Sequence, residues 1–137
     1  MSTGPAYRCM GEHPPRPAGD AAAYAVRPRD GFADPPGLAV RVDVLAAVGE
    51  PVPVRAGGLA DLAARLEAAG HSVTWLDADV PARRAAWAAL HREGSARLWL
   101  FRRHPERHPL PRPRELASPR TLPMALGALR ANALPPA

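Results

Sequence analysis

A chain of 137 residues fits one domain, and a single cysteine, Cys9, excludes any internal disulfide framework. No run approaches the roughly 18 apolar residues that a membrane span requires, and the eighteen arginines outnumber thirteen acids to give a net charge of +5 without one lysine. An acidic, membrane-spanning or disulfide-stapled protein is thereby excluded.

Lysine, isoleucine and glutamine are absent and Asn132 is the sole asparagine, whereas alanine, arginine, proline and glycine abound. This is the composition of a GC-rich, bacterial coding sequence. It explains why arginine stands in for lysine, but not why arginine should exceed the acids. That excess is regional. Residues 97–120 hold Arg97, Arg102, Arg103, Arg107, Arg112, Arg114 and Arg120 against Glu106 and Glu115, a local net of +5, and the remainder balances at eleven against eleven. The N-terminus shows neither a basic start nor an apolar run, so a cytoplasmic location is expected.

Prolines divide the chain, with seven of the eighteen in residues 1–36 and eight in residues 104–137. Because proline lacks a backbone donor and fixes φ, both flanks are expected to be disordered or loosely draped. Between them, residues 37–103 are expected to form one small α/β domain. Leu38, Val40, Val42 and Val44 alternate with Arg41 and Asp43, the period of a half-buried strand. Pro51-Val52-Pro53-Val54 fits only a short edge segment. Leu59, Leu62, Ala63 and Leu66 then predict an amphipathic helix, with Asp61 and Arg65 paired on its exposed side and Gly70 as its left-handed stop.

Ser72–Leu76 reads as a central strand, apolar on both faces. Asp77 and Asp79 are suited to cap a helix from Pro81 to Arg92, rich in alanine from Ala85 to Leu90 and ended by Gly94. Ala96–Phe101 reads as a last strand. The order β-β-α-β-α-β implies a mainly parallel sheet. A core of that size is marginal alone, so a homodimer or a docked flank is expected to cover one face. Residues 121–131, with Thr121 as cap, Pro123 in the first turn and a stripe of Leu122, Leu126 and Leu129, are the segment suited to dock.

Candidate chemistry is sparse. His104 and His108 are four apart, but Pro105 and Pro109 interrupt any helix through both, so no metal site is expected. No serine or cysteine nucleophile has a matched base, Cys9 included, and neither catalytic residues nor a cofactor are expected. Gly57-Gly58 at a helix start can offer free backbone donors to a ligand, and Asp77 stands at the end of a strand, where α/β proteins gather their sites. Those three residues form a candidate ligand site. The basic stretch, broken by Pro105, Pro109, Pro111 and Pro113, reads as an extended arm of guanidinium groups suited to an acidic protein or a nucleic acid. Trp99 and Phe101 precede it. A non-catalytic binding or scaffold protein is therefore expected, the alternative being a metal-independent small-molecule binder or degenerate enzyme.

The stretch Gly57–Asp77, followed by Val80-Pro81-Ala82-Arg83-Arg84 and Arg97-Leu98-Trp99-Leu100, is similar to the C-terminal half of the vicinal oxygen chelate superfamily, which includes glyoxalases and bleomycin-binding proteins. That resemblance implies a strand over Ala85–Leu90 and a closing strand. In metal-dependent members the closing strand carries a glutamate ligand, where this chain has Trp99. The same stretch also resembles the first half of Rossmann-like domains, with a helix at Ala85–Leu90 and without the cobalamin signature Asp-x-His-x-x-Gly.

Overall fold

The prolines of the N-terminal flank punctuate strands rather than exclude them. In the computed structural model, which describes residues 4–54, 56–84, 86–110 and 122–133, β1 spans Tyr7–Gly11 and β2 spans Ala23–Val26. Pro14, Pro15 and Pro17 lie between them, and Pro28, Pro35 and Pro36 lie between β2 and β3 (Gly37–Arg41). The flank expected to be loosely draped thus supplies two of the four strands. Proline bars long ladders, but strands of five and four residues fit between its occurrences.

The chain forms two compact units, Met1–Pro53 with Gly58–Ala82, and Val54–Gly57 with Arg83–Ala137. Neither limit of the expected 37–103 domain separates them. The first unit holds the sheet, in the order β1-β3-β2-β4, where β4 is Val73–Leu76. β3 pairs antiparallel with both β1 and β2, and β2 pairs parallel with β4. The sheet is therefore mixed rather than mainly parallel, because the two unforeseen strands join it by antiparallel connections. β4 lies at an edge instead of the centre, and its exposed Thr74 fits that place.

Register sets the two faces. Ala23 and Ala25 of β2 and Leu38 and Val40 of β3 are fully buried in one cluster, which also contains Val44, Leu45, Leu62 and Leu66. Met10, Val73 and Trp75 pack against it from the outer strands. The helical residues come from α1 (Val42–Val48) and α2 (Gly58–Ala68). Full burial of Leu62 and Leu66 is worth about 1.5–3 kcal/mol each. The opposite face carries Tyr24 and Ala39, also buried, with the Tyr7 ring 5.7 Å from that of Tyr24.

Leu38 and Val40 share a face as their spacing predicts, but the strand does not run on through Val44. The adjacent residues Val44 and Leu45 are both buried while Val42 is 49% exposed. A helix can turn neighbours i and i+1 toward one core, whereas a strand points them apart. Arg41 precedes the first turn, and its Nε donates to Asp43 Oδ1 at 2.7 Å. That hydrogen bond, reinforced by the guanidinium charge and the Val44 N–H, holds the Asp43 carboxyl below the ordinary carboxylate range. The pair's contribution to stability is present above the pKa of an unfolded carboxylate and is lost as pH falls through the lower folded value. In a carboxyl-carbon NMR titration, Asp43 is expected to have a lower midpoint in the native chain than in Arg41→Ala. Equal midpoints would remove the pairing.

α2 and its stop are as the periodicity predicts, with Gly70 at φ +87°. Its ion pair is not on the exposed side, however. Asp61 is fully buried, and Arg65 Nε donates to Asp61 Oδ2 at 3.0 Å. Arg65 also donates to the carbonyls of Val48 at 3.1 Å and Glu50 at 2.7 Å, which fastens the segment after α1 to α2. Residues 51–54 form no strand.

The second unit is a helical pair, α3 (Trp87–Arg103) and α4 (Leu122–Ala133). Residues 81–84 are not helical and Ala86 is extended, so Asp77 and Asp79 cap no helix. Gly94 does not end the helix, and the strand expected over Ala96–Phe101 is its continuation. Leu90, Gly94, Ala96 and Leu100 are buried along it. The closing strand implied by the oxygen-chelate resemblance is accordingly helical here. Within α3, Gly94 is a contact residue: a Cβ there would stand 1.7 Å from the Met124 carbonyl oxygen, and one on Gly127 would stand 1.9 Å from that of His91. Over residues 122–131, Pro123 and Gly127 are the buried positions of α4, while Leu122, Leu126 and Leu129 are exposed at 54%, 41% and 66%. The small residues make the contact in place of the leucine stripe, because backbone approaches backbone. Thr121 lies outside the described residues.

Candidate functional site

Charge separates along the division between the units. Among the described residues, the first unit carries six arginines and ten acids, a net of −4. The second carries eight arginines and two acids, a net of +6. Of those two acids, Glu93 is buried and accepts from Arg97 Nε at 3.2 Å, one helical turn on. Only Glu106 is exposed.

The basic residues have unequal roles. Arg97 is engaged by Glu93 and is only one-third exposed along its side chain. Arg102 and Arg103 occupy the last turn of α3, where cations complement the negative end of the helix dipole, and both are exposed. The Arg103 guanidinium lies 4.9 Å from the centre of the Trp99 ring, a cation–π contact that fixes the indole. The His104 N–H donates to the Leu100 carbonyl, and the N–H groups of Arg107 and His108 return to that of His104 at 3.1 and 2.9 Å. This turn places the exposed Arg107 just beyond the helix end. Arg112, Arg114 and Arg120 fall outside the described residues. Trp99 and Phe101 are half-buried on a helix rather than in a strand core.

The candidate ligand site distributes differently. Gly58 opens α2, but Asp34 Oδ1 accepts from the Ala60 N–H at 3.0 Å. A carboxylate of the chain thus already serves that helix start, which works against an anion there. Gly57 belongs to the second unit, has a φ of +96°, and leaves open the space where a Cβ would stand 3.3 Å from the Ala96 Cβ and the Trp99 ring. Asp77 is exposed in the first unit and pairs with Arg27 at 3.3 Å and Arg29 at 3.5 Å. The His104 and His108 rings are 6.4 Å apart, and among the described residues no group of three or more His, Cys, Asp or Glu side chains is placed to hold a metal. No helix among the described residues is long and apolar enough to cross a membrane.

Comparison with protein-family models, with curated proteins and with solved structures gave no match. Sequence reasoning found the basic stretch by counting charge. It missed that the charge follows a structural unit, since that depends on α3 running through Gly94 to Arg103.

Proposed function

We propose that the second unit is a polyanion-binding element that holds a nucleic-acid backbone, with Arg102, Arg103 and Arg107 as its described contacts and Arg112, Arg114 and Arg120 continuing the strip along the chain. The observation that carries this reading is the separation of charge, +6 among the described residues of the second unit in a chain whose other unit is acidic. A duplex presents about one charge per 1.7 Å, dense enough for arginines grouped at one helix end to engage several phosphates. An acidic protein needs a matched constellation, and for that reason it comes second. No catalytic step is part of the proposal.

Fluorescence anisotropy with a labelled DNA duplex, an RNA duplex and polyglutamate, each across a salt series, tests it. Log affinity for the nucleic acids is expected to fall linearly with log salt. The triple variant R102A/R103A/R107A is expected to flatten that slope by roughly one for each contacted phosphate lost. Arg97 is left in place because it neutralises buried Glu93. Salt-independent binding, or binding untouched by the triple variant, would end the proposal. Capture of polyglutamate without either duplex would replace nucleic acid by an acidic protein.

A further inference from the structure

Within the second unit lies a cavity of about 310 Å³, lined by Ala56, by Arg92, Ser95, Ala96 and Trp99 of α3, and by Ala131 of α4. Four of these follow the helix repeat, since Arg92, Ser95, Ala96 and Trp99 share the i, i+3, i+4, i+7 face. Apart from Arg92 and Ser95, its walls are methyl groups and an indole. Ser95 adds little polarity, because its hydroxyl donates to the Gly127 carbonyl at 2.8 Å.

The Trp99 ring is held in place by the Arg103 guanidinium 4.9 Å from its centre, and a Cβ on Gly57 would stand 3.3 Å from one edge of it. Any side chain at Gly57 would press on that ring, so the glycine both takes its positive φ and keeps the indole in position. Arg92 differs from Arg97 and Arg103 on the same helix. It is exposed, and among the described residues it forms no ion pair or side-chain hydrogen bond.

We infer that this cavity binds a small aromatic monocarboxylate, its ring against Trp99 and its carboxylate on Arg92. Three properties select that class. The volume is at the lower end of ligand pockets, which suits one ring rather than a nucleotide. The flat indole wall favours a planar apolar body. One guanidinium on an otherwise apolar lining matches a single carboxylate, which it can grip through two parallel hydrogen bonds. Arg92 is not among the arginines assigned to nucleic acid, so R92A tests this inference without touching that reading.

The probe is benzoate, followed through the Trp99 indole N–H signal in nitrogen-15 NMR, with benzamide and inorganic phosphate as controls. Benzoate is expected to shift that signal saturably, and benzamide to bind about tenfold more weakly for want of a charge-assisted pair. R92A is expected to reduce benzoate to the level of benzamide while leaving benzamide unchanged. As Arg92 is an exposed residue, that variant tests binding without testing folding. A131F, which fills the cavity, is expected to abolish both. Equal affinity for benzoate and benzamide would overturn the inference. So would benzoate binding unaffected by R92A, or phosphate competing as well as benzoate.

Discussion

Gly94→Ala is expected to destabilise the helical pair by about 2–4 kcal/mol, a sign opposite to the usual one. In an exposed helix the same change stabilises by about 1 kcal/mol, because glycine surrenders more backbone freedom on folding. Here the new methyl would stand 1.7 Å from the Met124 carbonyl oxygen and 2.4 Å from its carbon. Hydrogen-bonded backbone atoms of a helix cannot rotate away as a side chain can, so α4 must retreat from α3, opening gaps along the contact. Gly127→Ala meets His91 in the same manner, at 1.9 Å from its carbonyl oxygen. Because either methyl forces the same separation, the double variant is expected to cost clearly less than the sum of the two singles. Urea melts followed by far-ultraviolet circular dichroism measure this. A Gly94→Ala protein as stable as the native chain would mean that the helices do not approach so closely.

Arg65→Ala is the second large effect, with an expected loss of about 3 kcal/mol. Removal of the guanidinium withdraws the cation from a carboxylate that is fully buried, along with the hydrogen bonds to Val48 and Glu50. Arg65 keeps about a fifth of its own side chain exposed, which allows water to reach the gap and places the cost at the lower end of the range for broken buried pairs. The combined Asp61→Leu, Arg65→Met variant is expected to recover most of the loss, since it removes the buried charge as well as the guanidinium. Thermal denaturation of the native chain, the single variant and the double variant decides the point. If the double variant were no better than Arg65→Ala, the carbonyl contacts rather than the ion pair would hold the loop.

How far the fold could be read in advance depended on whether a segment's pattern had one interpretation. The stripe of Leu59, Leu62, Ala63 and Leu66 has only one, and α2 with its Gly70 stop follows it. Val73–Leu76 is likewise the expected strand. The six positions of Ala96–Phe101 mix five apolar residues with one arginine, and so short a run fits strand or helix equally. The deciding signal was the i,i+4 pair of Glu93 and Arg97, which spans the glycine that looked like a terminator. Gly94 read as a stop because the sequence does not show what comes close to it.

β2 was hidden for another reason. Ala23 and Ala25 are poor strand formers by propensity, yet fully buried beneath the helices, where small side chains permit close packing. The basic stretch was legible from charge alone, whereas the cavity was not. Its lining draws on residues from 54 to 131, which come together only in the folded second unit.

The position of β2 also bears on how the chain is made. During synthesis Ala23–Val26 meets its antiparallel neighbour once residue 41 has left the ribosome, but its parallel neighbour, Val73–Leu76, emerges more than thirty residues later. Throughout that interval this inner strand has one bare side with unsatisfied amides and carbonyls, the kind of edge on which nascent chains adhere to one another. Its yield in the cell should therefore be sensitive to translation speed and chaperone supply well before the arginine-rich helices exist.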